Sequence, residues 1–261
     1  MRRIESLEEL ARAAGGYLRP GVTANGMVTG EKFGDDIRAG RLHMEADEDN
    51  LWLAVHREDH IRLYFYLNDL NNPLGEHFDS PVVTEIAFRG NGEKLPPLEG
   101  LLALCGLKPV FRRVRLARPP ELPEDTPVPV TRPADAKAVY GFLRANFSPL
   151  TGCLPTLDQV LAGMADKRFL ALEDEKGIAG LLHMTHEKNG VEIRHLAVRE
   201  DLRGRGLAGR LVAAGLANHL GELCRVWVRE DYDSAGRVYA GAGFRPDGWR
   251  SLVFQSQREG I

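Results

Sequence analysis

The chain has 261 residues, 43% hydrophobic and 27% charged, with a formal net charge of -3 from 34 basic and 37 acidic side chains. That length and balance fit a globular chain with one large core or two small ones. They exclude the basic footprint of a nucleic-acid binder or an anionic-membrane binder, and no apolar run approaches the ~18 residues of a membrane-spanning helix.

The cysteines, Cys105, Cys153 and Cys224, are scattered and form no CxxC pair. This predicts reduced thiols in a cytoplasm. No His/Cys cluster has ligand spacing, so no metal is expected.

In chain order, Ser6 to Ala14 reads as a helix. Leu51–Val55, Ile61–Leu67 and Val82–Phe88 read as strands, Leu98–Leu104 as a short helix and Phe111–Leu116 as a further strand. Arg118 to Pro133 then holds six prolines. Proline lacks an amide proton and fixes φ, so this stretch is extended and stiff. It divides the sequence into residues 1–117, a linker at 118–126, and residues 127–261, with Val128–Thr131 as a first edge strand of the second half.

The second half alternates helix and strand signals. Ala134 to Asn146 and Leu157 to Met164 carry helical apolar spacing, the latter after Thr156 as N-cap. Phe169–Glu173, Ile178–His186 and Val191–Val198 read as strands, with an Asn-Gly turn signal at Asn189-Gly190. A glycine-rich loop from Arg203 to Gly209, a helix to about Leu220, a strand at Val226–Val228, a helix from Asp233 to Ala242 and a strand at Trp249–Phe254 follow. The order β-α-α-β-β-β-α-β-α-β makes an α/β fold with a mixed sheet.

The halves share two local patterns. Leu51–Val55 followed by Ile61–Leu67 mirrors Phe169–Glu173 followed by Ile178–Met184, and Leu101 to Pro109 mirrors Val238 to Pro246. On that alignment the first copy lacks about 20 residues where the second has its glycine loop, a reading the alternative of chance apolar matches leaves open.

The loop carries the chemistry. Glycines let the backbone turn sharply and let amides approach a ligand closely, while the start of the following helix favours negative charge. Arg203 and Arg205 add positive charge. A pyrophosphate is the natural guest.

Arg203-x-x-Gly206-x-Ala208 resembles the R/Q-x-x-G-x-G/A signature of the GNAT superfamily of acetyl-CoA-dependent N-acyltransferases. The preceding Leu196-Ala197-Val198 and the later Ala235-x-x-x-Tyr239-x-x-x-Gly243-Phe244 extend the resemblance over about residues 127–256. The family often has Asn where this chain has Tyr232.

The resemblance implies a GNAT fold, a mixed and mostly antiparallel sheet flanked by helices, with two GNAT-like halves in tandem. It implies acetyl-CoA as co-substrate and an amine-bearing small molecule or peptide as acceptor. Leu196, Ala197 and Val198 would pair with the pantetheine arm, and main-chain amides of Arg203, Gly204, Arg205, Gly206, Leu207 and Ala208 would hold the pyrophosphate. Glu192 would be the general base and Tyr239 the proton donor to the thiolate, with His195 the next base and His183 and His186 lesser ones. Strict alternation puts Glu192, Arg194 and Leu196 on one strand face and Ile193 and His195 on the other, a parity that a bulge would change. The first half has no such loop and has Leu102 in the place of Tyr239. It is expected to be silent, as in tandem families such as mycothiol synthases. A non-catalytic acyl-CoA-binding module is the alternative to an enzyme.

Overall fold

The computed structural model describes residues 1–26, 30–75, 77–90, 92–93, 95–120, 130–133 and 135–256. The chain forms two compact units. The first is Met1–Arg112 with the chain end from Ser251, and the second is Arg113–Arg250.

The first unit runs β1 (Arg2–Arg3), α1 (Leu7–Gly15), β2 (Thr23–Ala24), α2 (Gly30–Arg38), β3 (Leu42–Ala46), β4 (Asn50–His56), β5 (Ile61–Leu67), β6 (Val82–Arg89) and α3 (Leu95–Leu104). Ser6 caps α1 by accepting from the Glu9 amide. Alternation along β4 sends Leu51, Leu53 and Val55 into a core with α1 and α2, and Trp52 and Ala54 into a core with α3.

β7 (Leu107–Arg118) then crosses into the second unit. There follow α4 (Ala136–Asn146), α5 (Leu157–Ala165), β8 (Phe169–Asp174), β9 (Gly177–Glu187), β10 (Gly190–Val198), α6 (Leu207–Ala217), β11 (Cys224–Arg229), α7 (Asp233–Gly241) and β12 (Arg245–Ser256). Thr156 and Gln159 form a reciprocal capping box on α5. One sheet face packs on α4 and α5 through Val139, Leu143, Val160 and Phe169. The other packs on α6 and α7 through Val191, Ile193, Leu211, Val212 and Tyr239. Gly215 lets α6 approach closely, since a Cβ there would sit 2.5 Å from Leu182.

The two units repeat one pairing scheme. β3–β4 and β4–β5 are antiparallel and β5–β6 parallel. β8–β9 and β9–β10 are antiparallel and β10–β11 parallel. β1 pairs β3 as Thr131 bridges Ala171 of β8. The tandem reading holds, but its alignment is corrected by one strand: β4 answers β9, not β8, and β5 answers β10. The short β3, absent from the sequence pattern, is the element that shifts the alignment. From the last residue of the matched strand, Leu67 to Gly106 is 39 positions and Val198 to Gly243 is 45, so the first copy is shorter by 6. Residues 68–81 connect β5 to β6 where the second copy has its glycine loop and α6.

The observed units also differ from the division at 118–126. The last six residues of β7 pair with β11, from Arg113↔Arg229 to Arg118↔Cys224. The end of β12 belongs to the first unit, where Ser251 Oγ donates to Glu85 and the Val82 amide donates to Ser256 Oγ. Each copy's final strand thus begins in its own unit and ends in the other. Most of the linker and the start of the proposed edge strand, residues 121–129, lie outside the described residues.

Gly190 sets the start of β10. Its φ is +121°, and a Cβ would stand 2.1 Å from the Leu223 carbonyl oxygen, whose position is fixed by the Val191 amide at 2.9 Å. Gly190→Ala is expected to cost about 2 kcal/mol or more, read as a lower urea midpoint with an unchanged m-value.

Candidate functional site

The site is built around one irregularity. β10 pairs with β9 along its whole length, but the register shifts between Ile193 and His195. Its parallel pairing with β11 covers Val191, Glu192 and Ile193. No β11 residue is paired with 194–198. The strands therefore part after Ile193, and the main chain of Leu196, Ala197 and Val198 has one edge without a ladder.

The bulge at Arg194 changes side-chain parity. Ile193 lies opposite Met184 and faces α6, whereas His195 lies opposite His183 and faces α4. Glu192, opposite Thr185, points away from Val191 and Ile193. Glu192 and His195 therefore share the α4–α5 face, contrary to strict alternation. Leu196 packs with the α6 core instead. The Glu192 side chain is 12% exposed and accepts from Arg194.

Beyond Val198 a single 3-10 turn, Glu200–Leu202, leads into the glycine loop. Arg199 fixes this turn by pairing with Asp174 and Asp201. Arg203 folds back, its Nε donating to the Val198 carbonyl at 3.3 Å. Gly204 and Gly206 have φ of +78° and +76°, the left-handed region that glycine adopts without penalty. Gly206 is the N-cap of α6 and supplies no side-chain cap. The first-turn amides of Leu207, Ala208 and Gly209 keep their donors for a ligand. A Cβ at Gly204 or Gly206 meets no atom within 4 Å, so the cradle is open. Arg205 is exposed, and with Arg210 it lines an adjoining hollow of about 420 Å³.

Tyr239 lies on α7 in the opposite core, 5% exposed and edge-on to Phe244 at 5.5 Å. Burial raises its phenol pKa well above the usual value, which keeps the proton on oxygen. Tyr232 occupies the N-cap of α7 without a capping side-chain bond and lies under the Arg229 guanidinium at 4.4 Å.

The structure gives His195 a structural setting. It is 3% exposed, its Nε2 is 2.8 Å from the Gly152 carbonyl in the α4–α5 loop, and its Nδ1 is 3.0 Å from His183 Nδ1. A carbonyl only accepts, so His195 carries its proton on Nε2 and its Nδ1 accepts from His183. The lone pair needed by a base is thus occupied. Phe169 stacks on His183 at 4.2 Å and Phe147 meets His195 at 4.9 Å. Gly152 is itself constrained, since a Cβ would lie 2.6 Å from the Ser148 carbonyl. Sequence reasoning had ranked these histidines singly; their pairing across β9 and β10 depends on the bulge.

Burial holds both rings neutral, pushing His195 down to about 4 and His183 well below its usual value. In the unfolded chain both titrate near 6.5. Their folded pKa values are depressed, so the unfolded state binds more protons as pH falls below ~6.5, and stability is lost from there toward pH 4. The expected slope is on the order of 1 kcal/mol per pH unit for each buried ring. Urea titrations of wild type and His195→Gln between about pH 8 and 5 should show a shallower acid loss in the variant.

Residues 165–246 match the family described as acetyltransferase (GNAT) domain. The mycothiol acetyltransferase of Thermobispora bispora is 34% identical over 116 residues, covering 42% of this chain and 38% of that enzyme's length. Among solved structures, a GCN5-related N-acetyltransferase from Sphaerobacter thermophilus matches at TM-score 0.55 and 16% identity, over 94% of this chain and 98% of its own. A GNAT-family acetyltransferase from Colwellia psychrerythraea matches at 0.57 and 13%, over 98% and 99%. A tandem GNAT protein from the clavulanic acid biosynthesis pathway matches at 0.51 and 11%, over 85% of each chain. With a parted β10 and an uncapped glycine-led helix already in place, these comparisons liken residues 165–246 to a GNAT acetyltransferase domain.

Proposed function

We propose that the second unit transfers an acetyl group from acetyl-CoA to an amine-bearing small molecule or peptide by direct attack. The observation that carries this reading is the parting of β10 from β11 directly before an uncapped, glycine-led helix. The loop from Arg203 to Ala208 would hold the pyrophosphate through main-chain donors. Leu196, Ala197 and Val198 would pair with the pantetheine arm, and an amide near Leu196 would polarise the thioester carbonyl.

Glu192 and Tyr239 approach this gap from opposite faces of the sheet. Glu192, directly or through a water, takes the proton from the incoming ammonium. The amine nitrogen then bonds to the carbonyl carbon and gives its second proton to water as the carbon–sulfur bond breaks, and Glu192 returns its own proton to solvent. Tyr239 gives its proton to the departing thiolate and is later reprotonated from solvent. The first unit has no counterpart of the loop, and its α3 places the fully buried Leu102 where α7 places Tyr239. It is assigned no donor site. The similarity to the mycothiol enzyme covers too little of that enzyme to bring its acceptor to this chain.

Gly206→Glu puts a bulky anion where the cradle is open. Calorimetry is expected to show acetyl-CoA affinity lost in this variant, and retained affinity would remove the cofactor assignment. For the acid and base, kcat/KM of Glu192→Gln and Tyr239→Phe should be compared from about pH 6 to 10 with a panel of amines. Each loss should be about 10²–10⁴-fold. High pH should partly rescue Glu192→Gln, because free amine becomes more abundant, and should not rescue Tyr239→Phe. Tight acetyl-CoA binding without CoA release for any amine would point to a non-catalytic binding module.

A further inference from the structure

Away from the parted strands, the structure brings His186 to a pair of side chains three residues apart in a distant turn, His219 and Glu222. His186 stands near the end of β9. His219 and Glu222 lie in the turn between α6 and β11. Main-chain bonds fix that turn: the His219 amide donates to Leu216 O at 3.1 Å and the Glu222 amide to His219 O at 3.2 Å, with Gly221 at φ +77°. The turn holds His219 Nδ1 and Glu222 Oε1 3.0 Å apart. The His186 ring lies 5.2 Å from that of His219, inclined by 68°. One ligand atom from each residue lies within 4.8 Å of the others.

We propose that His186, His219 and Glu222 form a binding site for a divalent transition-metal ion of the zinc class. Zinc binds imidazole nitrogen and carboxylate oxygen at about 2.0–2.2 Å, so neighbouring ligands of a tetrahedral ion are about 3.3 Å apart. The His219–Glu222 separation is already close to that value. The ion would replace the proton the two now share. His186 would close the remaining distance by a shift of about 1–2 Å, which an exposed side chain at a strand end can make. Two imidazoles and one carboxylate select zinc, nickel or copper over calcium or magnesium, which prefer all-oxygen sets. His186 is exposed and the other two are half-buried, which gives the ion a path in and leaves a fourth position for water.

The bound ion would clip the end of β9 to the turn that enters β11. These three residues belong to neither the glycine loop nor the Glu192–Tyr239 pair, so the site stands or falls independently of acyl transfer.

The test is calorimetric titration of the untagged full-length protein with zinc chloride, paired with visible absorption after loading with cobalt(II) as a reporter of tetrahedral geometry. One ion per chain is expected, and zinc should raise the melting temperature. His186→Ala, His219→Ala and Glu222→Gln should each weaken binding by about tenfold or more. Glu222→Gln still offers an amide oxygen to His219, so the turn is preserved while the anionic ligand is lost. His77→Ala, at an exposed histidine of the first unit, should change nothing. Absence of stoichiometric binding would overturn the proposal. So would binding that persists unchanged in both His219→Ala and Glu222→Gln, which would mean adventitious association elsewhere on the surface.

Discussion

One main-chain constraint organises the second unit: β10 must stay paired to β9 throughout while leaving β11 after Ile193. A strand cannot leave one neighbour smoothly while keeping the other, because its twist is shared with both. The extra residue at Arg194 absorbs the difference. Before it, Val191 and Ile193 anchor β10 in the α6–α7 core; after it, Leu196 takes over that anchoring, and His195 turns toward α4. The same step leaves main-chain donors and acceptors of the segment ending at Val198 without a ladder. Such groups are costly if buried without partners. An opening that admits a ligand with amide groups of its own removes that cost when the ligand binds.

The repeat shows which parts of this arrangement are architecture and which are chemistry. Both units make the same antiparallel, antiparallel, parallel series of pairings, and both return through a helix, α3 or α7, into a long strand. Only the second inserts a glycine loop and α6 between its parallel strands. A parallel pair needs a crossover, and a helix is the usual one. The first unit makes its crossover with residues 68–81, which Asn50 of β4 anchors, its Nδ2 donating to the Asp69 and Asn72 carbonyls at 2.7 and 3.0 Å. A polar loop held by a buried asparagine can join two strands, but it presents no row of aligned amides to an anion. The exchange of final strands adds a folding consequence. The first unit is completed by residues from Ser251 onward, so its sheet cannot finish until the rest of the chain exists.

Legibility in the sequence followed locality. The glycine loop, the N-cap of α5 at Thr156 and the helix beginning at Asp233 are written in residues a few positions apart, and sequence patterning locates them. α2 escaped because its clearest apolar signal is Phe33 and Ile37, one i,i+4 pair, 1% and 6% exposed. β3 escaped because five residues, Leu-His-Met-Glu-Ala, make only a brief alternation. Missing it displaced the repeat alignment by one strand. The bulge at Arg194 has no glycine or proline to mark it. It arises from the conflict between two pairing partners, and only the three-dimensional register exposes it. The histidine clamp inherits that invisibility, since His183 and His195 meet only once the bulge has reversed the parity.

The same distinction separates what can be said of the donor from what can be said of the acceptor. On the proposed function, the donor side would be read through backbone: amides at a helix start, an unpaired strand edge, and glycines whose role is to have no side chain. Such a site needs few particular residues, so a short motif suffices to point to it. On the same proposal, the acceptor side would be built from side chains on separate elements. Glu192 and Arg194 come from β10, and the α4–α5 loop is held down by His195 at Gly152 and by Arg113, which donates to the Thr151 carbonyl at 2.6 Å. Each of those contacts can change while the donor frame stays intact. The domain match over residues 165–246 covers β10, the glycine loop and α6. It omits α4, the loop after it and all of α5 except Ala165, the elements to which the proposed function gives the choice of amine.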